Sequence, residues 1–273
     1  MSVRLTRTII VSSPRREVQG KDPLLLSELG PEEPVWVDLP GADRAVLEEV
    51  QRALGFSPEV ITYCLLRYRS AKVIHTGSAL FLVTFLAALS SHRLFALQEL
   101  EICIAPRFLL TVHRSSGPVS LFLESRLTSF REAIGLGTGH LLRLILEGAV
   151  RSYETVVARI KERLPREEKG DPGQTLEEQA RSRRVRGGEK FALFLQDQRV
   201  VLQNVEREGR KLFHPDDRTR LKWLEEKVGV LARIAREAAR MPRKGGDSGS
   251  GGLTLNTAGA DHHKIYNHLA EQE

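Results

Sequence analysis

An apolar run of seven residues decides the fold of this chain: Leu80-Phe81-Leu82-Val83-Thr84-Phe85-Leu86. The whole apolar stretch, Ala79–Leu89, is about half as long as a membrane-spanning helix and predicts a buried β-strand. Three more runs have the same character: Val35-Trp36-Val37-Asp38-Leu39, Leu100-Glu101-Ile102-Cys103-Ile104 and Phe108-Leu109-Leu110-Thr111-Val112-His113. Near-continuous apolar runs are typical of strands that are covered on both faces, so they predict a sheet with helices on each side.

Capping residues and turns predict the elements around these runs. A first strand is predicted within residues 4–11, and Asp43 is placed to cap a helix that Gly55 ends. Pro58 starts a short helix that runs to about Leu66. Four strands follow, the last two joined as a hairpin: Ala71–Thr76, Ala79–Leu89, Leu97–Ile104 and Phe108–His113.

The second half of the chain is predicted to be helical. The predicted helices are Val119–Arg131, His140–Leu164, one that starts at the capping box Thr175-Leu176-Glu177-Glu178, and one from His214-Pro215 to Met241. Gly187-Gly188 is a candidate interruption before Phe191–Phe213. The apolar residues of the last helix alternate in spacing like a coiled-coil seam: Leu221, Leu224, Val228, Leu231, Ala235 and Ala238. Such a seam requires another helix beside it, from this chain or from another copy.

These elements define the predicted fold class and domains. The class is α/β, an α/β/α sandwich around a mixed sheet, followed by long helices that form a stalk or helical hairpin. Residues 1–139 are predicted to form the sheet domain, and residues 140–241 the long-helix region that packs on it and extends from it. Residues 242–273 are predicted to be a flexible tail, because they begin with a Gly/Ser-rich linker.

Composition narrows the class of protein. The chain has 273 residues, of which 41% are hydrophobic and 28% charged, as in ordinary globular proteins. No stretch reaches the roughly 18 to 20 apolar residues of a membrane span, and the apolar patch Ile9–Val11 is too short for a secretory signal. Cys64 and Cys103 are isolated thiols in apolar settings, which fits a reducing compartment. A cytoplasmic protein is therefore predicted.

The net charge of +6 raises the question of an anionic partner. Part of it comes from a basic cluster on a predicted helix: Arg181, Arg183, Arg184 and Arg186. A solvated helix face explains such a cluster most simply, and nucleic acid is not the favoured partner. The alternative is a basic module that binds nucleic acid or an acidic surface through these arginines.

The order and spacing of these blocks resemble the cytoplasmic part of CorA-type divalent-metal transporters, including the ZntB branch. The blocks that carry the resemblance are the strand runs quoted above, Arg69–Val73, Leu141–Leu146 with Val150 and Tyr153, Leu195–Val205 and Trp223–Arg236. In that family the cytoplasmic funnel of a pentamer binds regulatory metal between subunits, and a Gly-Met-Asn motif and two membrane spans follow. This sequence contains neither the motif nor the spans.

The resemblance therefore implies a binding or regulatory protein of metal ion transport that is unable to transport by itself. It implies Mg²⁺ or another divalent cation as a regulatory ligand, and Glu225 as a metal ligand. The second carboxylate of the family falls at about Ser90, which supplies no charge. The implied partners are further copies, joined through the last long helix, or a full-length transporter, through which the protein would lie at the membrane periphery. A truncated transporter remnant without function stays open as an alternative.

No pattern in the sequence predicts an enzyme, and no catalytic residue is assigned. Gly135-Leu136-Gly137-Thr138-Gly139 precedes a helix but lacks the strand and the Lys-Ser/Thr of a phosphate-binding loop, so a linker is favoured. His75 and His113 lie near strands without a nucleophile pattern and are expected in the core or at its rim. The histidines of the tail, in Asp261-His262-His263 and at His268, have no scaffold to fix a metal.

Overall fold

The computed structural model describes residues 8–12, 16–20, 34–66, 71–90, 94–114, 117–163 and 174–240. All of these fall in one compact unit, Met1–Met241. The predicted tail and its histidines lie outside the described residues. The predicted division between residues 139 and 140 stays a prediction.

A mixed sheet of seven strands forms the centre of the described chain. The strands are β1 Thr8–Ser12, β2 Arg16–Gly20, β3 Val35–Pro40, β4 Lys72–Thr76, β5 Ala79–Leu89, β6 Phe95–Ala105 and β7 Phe108–His113. Their order across the sheet is β2-β1-β3-β7-β6-β5-β4. β3 and β7 are parallel, with Val37 opposite Leu110, and the other neighbouring pairs are antiparallel.

Helices cover both faces of this sheet. They are α1 Arg44–Leu54, α2 Glu59–Leu65, α3 Pro118–Ser125, α4 Leu127–Gly135, α5 Thr138–Arg163, α6 Gln174–Glu208 and α7 Pro215–Arg240. The predicted caps of α1 are confirmed: the Asp43 side chain accepts a hydrogen bond from the Val46 N–H, and Gly55 ends the helix at φ 72°. A left-handed residue at that position favours glycine, which has no Cβ.

The sheet separates two apolar cores, one on each face, which confirms the predicted α/β/α fold. On one face Val37, Val83 and Cys103 pack with α1 and α2. On the other face Trp36 and Ile102 pack with α3 to α7. Because side chains of a strand point alternately to opposite faces, a continuous apolar run is needed wherever both faces are covered.

Three helix predictions differ from the structure. The predicted helix Val119–Arg131 is interrupted at Arg126, which has φ −113° and ψ 7°, and α4 continues to Gly135. Pro58 caps α2 instead of taking its first position. Gly187-Gly188 does not interrupt α6. A Cβ at Gly188 would lie 2.9 Å from the Cβ of Ala239, so the glycine allows α6 and α7 to approach closely.

The seam of the last helix is covered by the same chain. Its six residues are at most 6% exposed: Leu221, Leu224, Val228, Leu231, Ala235 and Ala238. They belong to the core in which α7 packs against α5 and α6. The prediction that this seam joins two copies is therefore wrong for these side chains, because intramolecular helices already cover them. No helix within the described ranges is long and apolar enough to cross a membrane.

Candidate functional site

Glu225 lies on α7 where that helix faces α6. Its Oε1 accepts hydrogen bonds from Arg199 Nε at 2.7 Å and from Gln203 Nε2 at 2.8 Å. The side chain is 18% exposed. Gly229, one turn further along α7, lies beside this pair, and a Cβ at that position would be in ordinary contact with the Arg199 side chain, 3.4 Å from its Nε. The carboxylate assigned to a metal is thus held by two donors of the neighbouring helix.

This environment is a poor fit to a complete divalent-cation site within one chain. Mg²⁺ requires six oxygen ligands in near-octahedral geometry, usually including one or two carboxylates. The Arg199 guanidinium already neutralises Glu225, and a cation would have to displace it or share the carboxylate with it. Across the described residues, no group of three or more His, Cys, Asp or Glu side chains could hold a metal ion. Any further ligands would have to come from elsewhere, and Glu225 as a ligand stays a prediction.

The basic cluster lies on α6. The side chain of Arg186 is exposed, and the side chains of Arg181, Arg183 and Arg184 lie outside the described residues. The alternative of an anion-binding cluster at these four arginines is therefore untested.

A buried polar network that the sequence did not reveal joins β3 to β7. Thr111 donates to Asp38 Oδ1 at 2.5 Å and accepts from the Trp36 indole N–H at 3.0 Å. His113 Nε2 lies 3.2 Å from Asp38 Oδ1 and 3.3 Å from Asp38 Oδ2, and its side chain is 1% exposed. The parallel register places Asp38 opposite Thr111, so the network follows from strand pairing and not from any local motif.

Asp38, His113 and Ser120 lie next to each other as the side chains of a hydrolase triad do, but the contacts of His113 do not favour its use as a base in this arrangement. His113 Nδ1 lies 2.6 Å from the Arg114 carbonyl oxygen and 3.4 Å from Ser120 Oγ. Both ring nitrogens lie within reach of acceptor oxygens, which favours the doubly protonated imidazolium. Burial lowers the pKa of His113, but the hydrogen bond and the charge of Asp38 outweigh it and raise that pKa. The imidazolium has no lone pair to accept the Ser120 proton.

The opposite face of the sheet carries buried acids with raised pKa values. Burial, reinforced by Glu99, raises the pKa of Glu101 to about 8. Burial also raises the pKa of Cys103 to about 12, and that of Cys64 well above its usual range. Both cysteines are free and buried in the core, which confirms their interpretation as core residues, and thiols that stay protonated are unreactive.

Asp217, in the first turn of α7, joins this helix to α5. It is 5% exposed and accepts from Arg143 Nε at 2.8 Å and from His140 Nδ1 at 2.9 Å, both on α5. Glu147 extends this network by accepting from Arg220 of α7 at 2.9 Å. These contacts fix the start of α7 to α5 and hence position Glu225.

The structure thus defines a class of protein: an α/β/α domain whose long final helices pack on the sheet. The chain belongs to the family of CorA-like Mg²⁺ transporter proteins, because the family model matches residues 31–228. This confirms the resemblance. No curated protein matches the chain.

Solved structures show the same fold at low sequence identity. The soluble domain of CorA from Methanocaldococcus jannaschii is 17% identical, with a TM-score of 0.68, and the match covers 88% of this chain and 95% of that one. The ZntB cytoplasmic domain from Vibrio parahaemolyticus is 9% identical, with a TM-score of 0.65, and the match covers 98% and 99%. The complete CorA magnesium transporter from Methanocaldococcus jannaschii is 18% identical, with a TM-score of 0.65, and 88% and 75% are covered.

Proposed function

We propose that this chain is a cytoplasmic CorA-type domain that binds or senses a divalent cation of the Mg²⁺ class and regulates metal ion transport. The observation that carries the proposal is the family match over residues 31–228, which includes the sheet from β3 onward and Glu225 on α7. The role is regulatory and non-enzymatic, and ion conduction would belong to a partner. The similarity to a ZntB cytoplasmic domain supports the location.

In this proposal Glu225 contributes one ligand of a shared site. A cation at Oε2 of Glu225 would weaken the ion pair with Arg199 and require oxygen ligands from a second copy or from a full-length transporter. Cation binding would then be coupled to association, because only the assembled state supplies enough ligands. This coupling would be the regulatory signal.

Sedimentation velocity with millimolar Mg²⁺, and again with a chelator, tests the proposal. We expect Mg²⁺ to promote association of the wild-type chain and Glu225→Gln to abolish the effect. Asp216→Asn is the matched control on the same helix, because the Asp216 side chain is 94% exposed. The proposal would be overturned if the wild-type chain has the same association state with Mg²⁺ and with the chelator. Salt-sensitive binding to nucleic acid would then favour the basic module. The absence of both Mg²⁺-dependent association and nucleic-acid binding would favour a remnant.

A further inference from the structure

A groove between α6 and α7 carries more positive charge than the fold compensates. It has a volume of about 400 Å³ and is lined by three arginines, Arg199 of α6 with Arg233 and Arg236 of α7. Gln196 and Glu226 also line it. No residue in the described ranges forms a hydrogen bond or ion pair with Arg233 or Arg236, unlike the arginines that face α5.

Local geometry explains why these side chains converge. Arg233 and Arg236 are three positions apart, which places them on one face of α7. Gly229 lies one turn before Arg233 and lines the same groove, next to the Arg199 side chain. The Arg199 Nε bonds to Glu225, whereas its Nη groups form no hydrogen bond within the described part of the chain. Arg199 is paired with Glu225, so Arg233 and Arg236 are the guanidinium groups of the groove that have no ion pair within the described residues, and a bound anion would offset their mutual repulsion.

The chemistry of the groove indicates the class of anion. Guanidinium groups present paired N–H donors that match phosphate oxygens. The volume lies in the range of small-molecule sites, about 300 to 1,000 Å³. Glu226 would repel a bare polyanion, but it would attract one whose Mg²⁺ bridges phosphate oxygens and a carboxylate, which is a common mode of Mg²⁺ binding.

We propose that this groove binds the Mg²⁺ complex of an oligophosphate, a ligand with two or three linked phosphate groups. Arg199, Arg233 and Arg236 contact the phosphates, Gln196 donates its amide N–H, and Glu226 contributes to the Mg²⁺ shell. This site shares Arg199 with the Glu225 ion pair, but Arg233, Arg236 and Glu226, at which it is tested, take no part in that pair, and the site goes beyond the proposed function. Failure here leaves Mg²⁺-dependent association through Glu225 unaffected.

Isothermal titration of the full chain with inorganic triphosphate and Mg²⁺ tests the site. We expect the Arg233→Gln/Arg236→Gln double variant to bind roughly tenfold more weakly or worse. The control is Arg44→Gln/Arg52→Gln on α1, which removes the same charge and should change affinity by about twofold at most. Circular dichroism establishes that both double variants fold. No binding by the wild type, or equal losses in the two variants, would overturn the proposal.

A second titration tests the role of Mg²⁺. Mg²⁺ should strengthen triphosphate binding to the wild type, and Glu226→Gln should remove this dependence while binding free triphosphate more tightly. An unchanged Mg²⁺ dependence in Glu226→Gln would overturn the assignment of Glu226. Comparison of ATP with inorganic triphosphate identifies the source of the ligand, because only a nucleotide site gains affinity from the base and ribose.

Discussion

Arg199 of α6 donates a hydrogen bond from Nε to Oε1 of Glu225 on α7 across 2.7 Å. The carboxylate that family resemblance assigns to a cation therefore already has an internal cation beside it. A divalent ion at Glu225 competes with this guanidinium, so the ion pair sets how readily the carboxylate accepts metal.

Removing the competing cation should increase metal affinity. We expect Arg199→Gln to bind Mg²⁺ or Mn²⁺ more tightly by about threefold to tenfold, because an exposed or half-buried ion pair contributes roughly 1 kcal/mol. Isothermal titration measures the change. Arg207→Gln is the control, since Arg207 pairs with Glu208 on the same helix. Equal affinities in wild type and Arg199→Gln would show that Glu225 is not a ligand.

Glu101 should make stability fall as pH rises. Burial first, and then Glu99, raise the pKa of Glu101 to about 8 in the folded chain from the usual 4.5, while His113 and Arg114 lower it. Between these values the unfolded chain releases the proton and the folded chain retains it, so folding loses stability with increasing pH.

Glu101→Gln removes this penalty. Its stability should match that of the wild type near pH 4.5 and exceed it by about 2 to 4 kcal/mol at pH 8, where the difference levels off. Urea unfolding across this range measures it, with the exposed Glu132→Gln as control. A difference that does not vary with pH would contradict the assignment.

The Asp38–His113 pair has the same sign of pH dependence as Glu101, because the pKa of His113 is also raised in the folded chain. The pKa of His113 is raised above its usual 6.5 by the Asp38 hydrogen bond and charge, which outweigh burial. The stabilisation is therefore complete below the unfolded pKa of about 6.5 and is lost as pH rises through the folded pKa.

Asp38→Asn should cost about 3 kcal/mol at pH 6 and clearly less at pH 9, because it leaves a buried imidazolium unpaired only where His113 is protonated. Urea unfolding at both pH values gives the cost, and NMR titration of the imidazole gives its pKa. Asp43→Asn is the control, since asparagine also caps helices. A cost that is equal at both pH values would count against the ion pair.

Gly139 should tolerate no side chain. A Cβ there would lie 2.0 Å from the Leu212 carbonyl oxygen, which is backbone and has little freedom to move. We expect Gly139→Ala to lose about 1 to 3 kcal/mol. The control, Gly229→Ala, should gain up to about 1 kcal/mol from helix propensity. Thermal unfolding compares the two variants, and a stable Gly139→Ala would disprove the close approach.

A substitution at Leu224 tests whether the Leu221–Ala238 seam of α7 is buried within one chain or between two copies. The side chain is fully buried among α5, α6 and α7, so Leu224→Ala should cost about 2 to 5 kcal/mol. The unfolding midpoints of wild type and variant should not depend on protein concentration. Lys222→Ala, at an exposed neighbouring position, is the control. With a chelator present to exclude Mg²⁺-dependent association, wild-type midpoints that rise with concentration and lose this dependence in Leu224→Ala would restore the seam between copies.

Much of the fold was predictable because its signals are local. The strands Ala79–Leu89 and Phe108–His113 have the predicted bounds, and Asp43 and Gly55 mark the ends of α1. β2 was not predicted, since Arg16-Glu17-Val18-Gln19-Gly20 has little apolar pattern and forms a strand by pairing with β1.

The breaks between helices were less predictable. The interruption at Arg126 could not be predicted, because no glycine or proline lies next to it in the sequence. Gly187-Gly188 suggested a break that α6 does not have, because its packing against α7 stabilises the helix more than two glycines weaken it.

The sequence by itself determined the α/β/α class, the helical second half and the CorA-like family, since these depend on periodicity, caps and the order of blocks along the chain. The tertiary structure alone decided that Arg199 neutralises Glu225, that three arginines share one groove, and that the Leu221–Ala238 seam is covered from within. These pairings join residues that are far apart in sequence or on different helices. They depend on the distance and angle at which helices pack, which no local pattern encodes.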